Sequence, residues 1–309
     1  MCGLVCGDRL KQIIRKSNHL KISGLIKRIE PLALKLSGRL PVCPWTSVLF
    51  SLDPRTVGVH PPEMKIEVTG EDGAFKKLRF NGRHESWFPA GTQVNLGLWN
   101  EYLSVVWLHP ANAHYYLAHG TVIKPGDVVI DCGCCEGFFV FQALEAGAAK
   151  VIGIEPNPEM VRCLEKTFVT EIKAGRVVFR QVALGAFRGT AAFFFDSAFP
   201  AFGQIGGGNK TEGRTVRVET LDSICDKLGI AKVDFIKMDI EGAEIQAVEG
   251  AMSLLTKHHP KLAITTYHRA FDFRCLQAIL ASLGYRQIQA VGITKFGGSH
   301  LRPAILHAA

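Results

Sequence analysis

No uninterrupted apolar run in the 309 residues approaches the roughly 20 needed to cross a bilayer as a helix. The first residues, MCGLVCGDRLKQII, lack the apolar stretch and cleavage site of a secretory signal, so the expected compartment is the cytoplasm. The nine cysteines are odd in number and scattered (2, 6, 43, 132, 134, 135, 163, 225 and 275), unlike the framework of a small stapled domain, and read as reduced thiols. Only Cys132 and Cys135 stand at C-x-x-C spacing, and no second pair completes a zinc site. The G-x-G-x-x-G of a dinucleotide fold is missing too, as is any RNP motif or zinc finger.

Net positive charge is scarce outside one segment. Residues 1–40 carry nine Lys and Arg against Asp8 and Glu30, nearly the whole net charge of +8. Leu10, Ile13 and Ile14, then Leu25, Ile26 and Ile29, recur there at helical spacing, interrupted at Gly24 and Pro31. Two or three short helices are expected, capping the body of the protein or touching an anionic membrane surface peripherally. Residues 41–114 form an extension in which Met64–Val68 and Lys77–Phe80 alternate around Glu71-Asp72-Gly73, predicting a β-hairpin. The aromatic residues that follow (Trp87, Phe88, Trp99, Tyr102, Trp107, Tyr115 and Tyr116) serve packing or line a substrate pocket.

From residue 115 to 309 short apolar runs alternate with helical stretches. Strands are expected at Val128–Asp131, Val151–Glu155, Val177–Val182, Val233–Asp239 and Leu262–Tyr267. Helices are expected at Phe138–Ala146, Pro158–Thr170, Leu221–Leu228 and Ala243–Lys257. Such alternation predicts an α/β fold, a parallel sheet covered by helices on both faces, with ligands beyond the carboxyl ends of the strands.

The loop Asp131-Cys132-Gly133-Cys134-Cys135-Glu136-Gly137 follows the first of these strands. Its two glycines allow close backbone approach to a ligand, and Asp131 puts a carboxylate at the strand tip. Such an acid repels a pyrophosphate but suits the cationic amino-acid end of S-adenosylmethionine. Glu155, at the end of the next strand, is placed to take both hydroxyls of a ribose. The three cysteines read as small loop fillers rather than ligands. Further on, Lys237-Met238-Asp239-Ile240-Glu241-Gly242-Ala243-Glu244 ends a buried strand in a cluster of acids, costly unless they bind something.

Together, Lys-Pro-Gly-Asp-Val-Val-Ile-Asp-x-Gly from Lys124, Ile154-Glu155-Pro156-Asn157-Pro158, Val182-Ala183-Leu184-Gly185, Thr220-Leu221-Asp222 and the Lys237–Glu244 element closely resemble the FkbM-type methyltransferases over about residues 115–290. The resemblance implies a class I methyltransferase fold. This is a Rossmann-like, doubly wound, mostly parallel seven-stranded sheet, carrying here an N-terminal helical and β-hairpin extension. It places Asp131, Gly133 and Gly137 around the methionine part of S-adenosyl-L-methionine, Glu155 on the ribose, Gln181, Val182 and Ala183 beside the adenine, and Asp239 near the methyl group. The family's Gly-Ala-Asn is Gly133-Cys134-Cys135 here, and the acid it commonly has two residues before a strand-end histidine is Thr266, before His268.

The expected activity is O-methylation of a sugar, polyketide or other small hydroxylated metabolite. Asp239, Glu241 and His268 are the catalytic candidates, with His268 as the base; no metal and no nucleic-acid partner are assigned. Glu244 either joins the site or caps its helix. Phe202–Asn209, rich in glycine, is either a mobile lid or a surface loop. The competing reading is a non-catalytic binding module acting through its basic N-terminus.

Overall fold

The computed structural model describes residues 63–107, 112, 114–118, 120–196, 199–205, 212–296 and 300–309, with residues 32, 33, 35, 36, 45 and 48. The helices expected in the basic segment 1–40 lie almost wholly outside the described residues. No helix of the described residues is long and apolar enough to cross a membrane.

Three antiparallel strands come first: β1 (Ile66–Asp72), β2 (Phe75–Phe80) and β3 (His84–Pro89). The expected hairpin is there, turned at Gly73 with φ 59°, and β3 adds a strand the alternation did not announce. Helix α1 (Leu96–Val106) follows, its N-terminus closed by the Asn95 side chain accepting from Leu98 N at 3.1 Å. One face of α1 buries Leu98, Trp99, Tyr102 and Leu103 against Leu78, Phe80 and Phe88 of the small sheet. Most of the aromatic stretch is therefore packing.

The central sheet has seven strands in the order β13-β14-β12-β11-β4-β5-β6. They are β4 (Val128–Cys132), β5 (Lys150–Ile154), β6 (Val177–Arg180), β11 (Phe235–Met238), β12 (Lys261–Thr265), β13 (Ile288–Phe296) and β14 (His300–Ala308). All adjacent pairs from β12 to β6 are parallel, and β14 runs antiparallel to both its neighbours. Side chains alternate between two cores. Ile130 and Cys132 of β4 join Ile236 and Met238 of β11 on one face, while Val129 and Phe235 lie on the other. Both faces are thus buried, which is why these strands read as unbroken apolar runs. This is the class I methyltransferase arrangement, with strand order reversing between β4 and β11.

The first crossover helices are α2 (Phe138–Glu145), α3 (Pro158–Thr167) and the short α4 (Val169–Lys173). Proline at the first turn of α3, the Asn157 cap and Glu159 make a strong start signal. The helix expected over Pro158–Thr170 is divided at Phe168, whose buried ring packs against Phe141 of α2 and Phe179 of β6. After β6 a second sheet is inserted, order β7-β10-β8-β9, from β7 (Ala183–Leu184), β8 (Gly189–Asp196), β9 (Phe199–Ile205) and β10 (Glu212–Glu219). Phe202–Ile205 of the glycine-rich stretch belongs to β9, where Gln204 and Ile205 pair with β8, so this part is strand and not loop; 206–209 lie outside the described residues. Helices α5 (Leu221–Lys227), α6 (Glu244–Glu249), α7 (Met252–His258) and α8 (Asp272–Ser282) complete the chain. The helix expected over Ala243–Lys257 breaks at Gly250-Ala251, where only glycine fits, since a Cβ at Gly250 would meet the Gly185 carbonyl oxygen at 2.2 Å.

Side-chain hydrogen bonds fasten the N-terminal layer to these helices. Ser86 donates to the Glu136 carbonyl at 3.0 Å, Thr167 Oγ1 accepts from Trp87 N at 2.9 Å, and His84 Nε2 lies 2.8 Å from Glu145.

Candidate active site

A cavity of about 270 Å³ opens beyond the carboxyl ends of β4, β5 and β11, where strand order reverses. The loops after these strands make its floor, and α1 with the His114–Tyr116 segment makes a further wall. The chain is bent sharply at its rim. Two of the four described non-glycine residues with positive φ, Cys135 (34°) and Glu241 (58°), line the cavity, and such strain gathers at functional sites.

One end suits a nucleoside. Glu155 is 5% exposed; its Oε2 accepts from Cys135 N at 3.1 Å and its Oε1 from Asn157 N at 2.8 Å. Those bonds fix the carboxyl while leaving lone pairs for a diol. Burial pushes its pKa up to about 7 against the pull of the two amides. Ile154, Val182, Ala183 and Leu184 add apolar surface beside it.

Four of the expected cofactor residues behave differently from one another. Gly133 lines the cavity with φ 77°, and a Cβ there would fall 2.0 Å from the Asp239 carbonyl oxygen. Only glycine lets the loops after β4 and β11 meet. Gly137 does not line the cavity: a Cβ there would strike Phe168 at 2.6 Å, so this glycine serves helix packing. Gln181 is exposed and lies off the cavity, on a separate shallow depression, whereas Val182 and Ala183 after it turn inward and line the cavity. Asp131 is fully buried inside β4, with Oδ1 3.0 Å from Lys237 Nζ, which also donates to the Gly133 carbonyl at 2.8 Å. It therefore holds the two central strands and the glycine loop together from beneath, and is not among the lining side chains.

The other end of the cavity is acidic. Asp239 and Glu241 both line it. Asp239 Oδ2 accepts from the Tyr116 hydroxyl at 2.8 Å, and its Oδ1 accepts from Thr265 Oγ1 at 3.2 Å. Burial would raise the Asp239 pKa, but His268, Lys237 and the Tyr116 hydroxyl hold it below the usual carboxylate range.

His268 lies behind this wall and does not line the cavity. Its side chain is 4% exposed, with Nδ1 2.9 Å from Glu244 Oε1 and Nε2 3.6 Å from Asp239 and 3.8 Å from Glu241. Burial alone would lower its pKa. The Glu244 hydrogen bond and the charges of Asp239, Glu244 and Glu241 overcome this and lift it to about 9. A histidine already protonated at neutral pH cannot take a proton from a substrate, so the expectation of His268 as base gives way to that of a counter-ion. Glu244, fully buried, accepts from Ile240 N at 3.1 Å and belongs to this network rather than merely capping α6. Asp239, Glu244 and His268 bring ligand atoms within 4.8 Å of one another. With the proton on His268 the trio is an ion-pair network, and a metal bound there would have to displace that proton.

Sequence reasoning missed Glu101 on α1. It lines the cavity together with Ser104 and Val105, one turn along the same helix face, and burial with the facing carboxylates pushes its pKa up to about 8. Its signal in the sequence was the one charged residue in the largely apolar and aromatic run Trp99–Trp107.

Among known proteins, the crystal structure of a methyltransferase FkbM from Methylobacillus flagellatus aligns at 21% identity and TM-score 0.46, over 67% of this chain and 48% of that one. The chain thus spans about half the length of that relative. A putative rRNA methylase from Clostridium thermocellum aligns at 14% identity and TM-score 0.37, over 70% of this chain and 94% of the other. The tRNA m1G37 methyltransferase of M. jannaschii aligns at 12% and 0.38, over 78% and 55%. No curated protein sequence matches. The Methyltransferase FkbM domain model matches residues 131–287, from the buried acid of β4 to the end of the segment after α8. That is just over half of the 309 residues, and the chain belongs to the FkbM methyltransferase family.

Proposed function

We propose that this methyltransferase takes its methyl group from S-adenosyl-L-methionine and delivers it to a hydroxyl of a small metabolite such as a sugar or polyketide. The observation that carries the cofactor reading is Glu155, a buried carboxyl fixed by two backbone N–H groups at the rim of a cavity with an apolar wall beside it. A ribose diol and an adenine match those two surfaces. The bound cofactor supplies an electrophilic methyl on a sulfonium, and its positive charge suits an end walled by Asp239 and Glu241.

The residues then act mainly by placement, since in-line transfer needs alignment above all. Asp239, held by Tyr116 and Thr265, presents an ionised oxygen where charge is redistributed. Glu241 extends the same wall. His268 is a positioning residue, acting through Asp239 and Glu241. Lys237, the single basic lining side chain among the described residues apart from the burial-neutralised His114, is engaged by Asp131. Acidic walls of this kind favour a neutral or cationic acceptor over the phosphates of a nucleic acid. The free thiols of the described cysteines suit a reducing cytoplasm.

Calorimetry with S-adenosylmethionine, S-adenosylhomocysteine and NAD tests the cofactor. Binding of both S-adenosyl compounds is expected, and Glu155→Ala should weaken it by about 1.5–3 kcal/mol, the value of hydrogen bonds to a charged group. Tight NAD binding without S-adenosyl binding would refute the reading.

A further inference from the structure

We propose that Glu101 is the catalytic residue that takes the proton from the acceptor hydroxyl. The inference rests on the hydroxyl-acceptor reading above and adds to it a residue outside the 131–287 family match.

Helix geometry aims it. Leu98, Trp99, Tyr102 and Leu103 anchor one face of α1 in the N-terminal core, so Glu101, Ser104 and Val105 are left on the face that closes the cavity. The cavity's nucleoside end is marked by Glu155. Glu101 instead interacts electrostatically with Asp239 and Glu241 of the loop after β11 and with Glu136 of the loop after β4. It thus shares the acceptor end, with the phenols of Tyr116 and Tyr267 and the ring of His114 on the same cavity.

The other groups there are poorly suited to the task. Asp239 is held in its ionised form by a histidinium and two hydroxyl groups, so it is a weak base. Glu136, also raised by burial, is 8% exposed and tied within its own loop by its own backbone N–H and the Cys135 thiol. His114 is lowered by burial, and both phenols are raised. Glu101, lifted to about 8 by burial and by Glu136, Asp239 and Glu241 against the pull of Lys237, lies near the pKa at which a general base works best at neutral pH. In the step the acceptor O–H bond breaks and its proton passes to a Glu101 carboxylate oxygen. The acceptor oxygen's electron pair forms the bond to the methyl carbon as the carbon–sulfur pair returns to sulfur.

The test is labelled-methyl transfer from S-adenosylmethionine to a panel of hydroxylated sugars and polyketides, at pH 6 to 9.5, with the wild type, Glu101→Gln and Glu101→Asp. The wild-type rate should climb about tenfold per pH unit below about 8 and then level. Glu101→Gln should lose on the order of 10²–10⁴-fold in rate together with that climb, and Glu101→Asp should retain the climb at a reduced rate. Calorimetric S-adenosylmethionine binding within about threefold of wild type in each variant shows that fold and cofactor site survive. A Glu101→Gln protein keeping rate and profile overturns the assignment alone. A wild type that binds the cofactor yet methylates no panel member overturns the hydroxyl reading and Glu101's role with it.

Discussion

Replacing His268 with Gln should change how stability depends on pH far more than it changes the fold. The imidazole is 4% exposed and contacts Glu244 at 2.9 Å, and its pKa stands near 9 against an ordinary 6.5. A group whose folded pKa is raised stabilises the fold fully below its unfolded pKa, and this stabilisation is lost as pH climbs through the folded one. A displacement from 6.5 to about 9 is worth about 3 kcal/mol at 1.36 kcal/mol per pKa unit. Linkage gives about 3 kcal/mol at pH 6, about 2 at pH 7.5 and almost nothing at pH 10. Guanidinium denaturation of the wild type and His268→Gln between pH 6 and 10 measures the difference directly. The stability gap should shrink by about 3 kcal/mol across that range. Loss of the Glu244 partner should act similarly, so Glu244→Gln is a second probe of the network. Parallel pH curves for wild type and His268→Gln, or a His268 resonance titrating at or below 6.5, would refute the histidinium.

Gly133→Ala places a methyl 2.0 Å from the Asp239 carbonyl oxygen at a φ of 77°. Backbone strain alone should cost about 1–3 kcal/mol, and a lowered melting temperature with weakened cofactor binding should follow; an unchanged melt would show that the two loops do not meet. Cys134→Ala removes a thiol that is 4% exposed and belongs to the core beneath the loop after β4, beside the cavity that Cys134 helps to line. The expected loss is about 1 kcal/mol, as for one buried methyl-sized group, with cofactor affinity within a few fold and no stoichiometric zinc by metal analysis of either protein. One equivalent of zinc, lost on substitution, would contradict the filler role.

The central strands were legible because parallel strands buried on both faces leave continuous β-branched runs, as Val128–Ile130 shows. Strands β13 and β14 were harder to find, since a sheet-edge hairpin has no crossover helix to announce it. The inserted sheet was hidden for another reason: glycines at 203 and 206–208 read as loop, while β9 takes its order from pairing with β8. Side-chain direction was the least legible property of all. An acid at a strand tip looks the same in sequence whether it points into the cavity, as Asp239 does, or is held inside the sheet by a lysine, as Asp131 is. The lysine that settles the matter lies 106 positions away. Glu101 escaped notice because its helix is read by its aromatic anchors, and which face remains for the cavity depends on where those anchors pack.

The strand order has a consequence for assembly. β4 pairs on one side with β5, Val128 opposite Lys150, and on the other with β11, Val129 opposite Phe235. Closing the longer connection costs only about 1.4 kcal/mol more, because loop entropy grows with the logarithm of length. Time is the greater difference. At roughly 5–20 residues per second, the ribosome delivers β11 several seconds after β5. Until then the nascent chain can build the half that carries Glu155, while the β4 edge stands unpaired with Asp131 lacking its lysine. That edge, Val128-Val129-Ile130, is the segment most exposed to wrong partners during synthesis. A holdase protecting the nascent chain would be expected to bind there and to be displaced when Lys237 arrives.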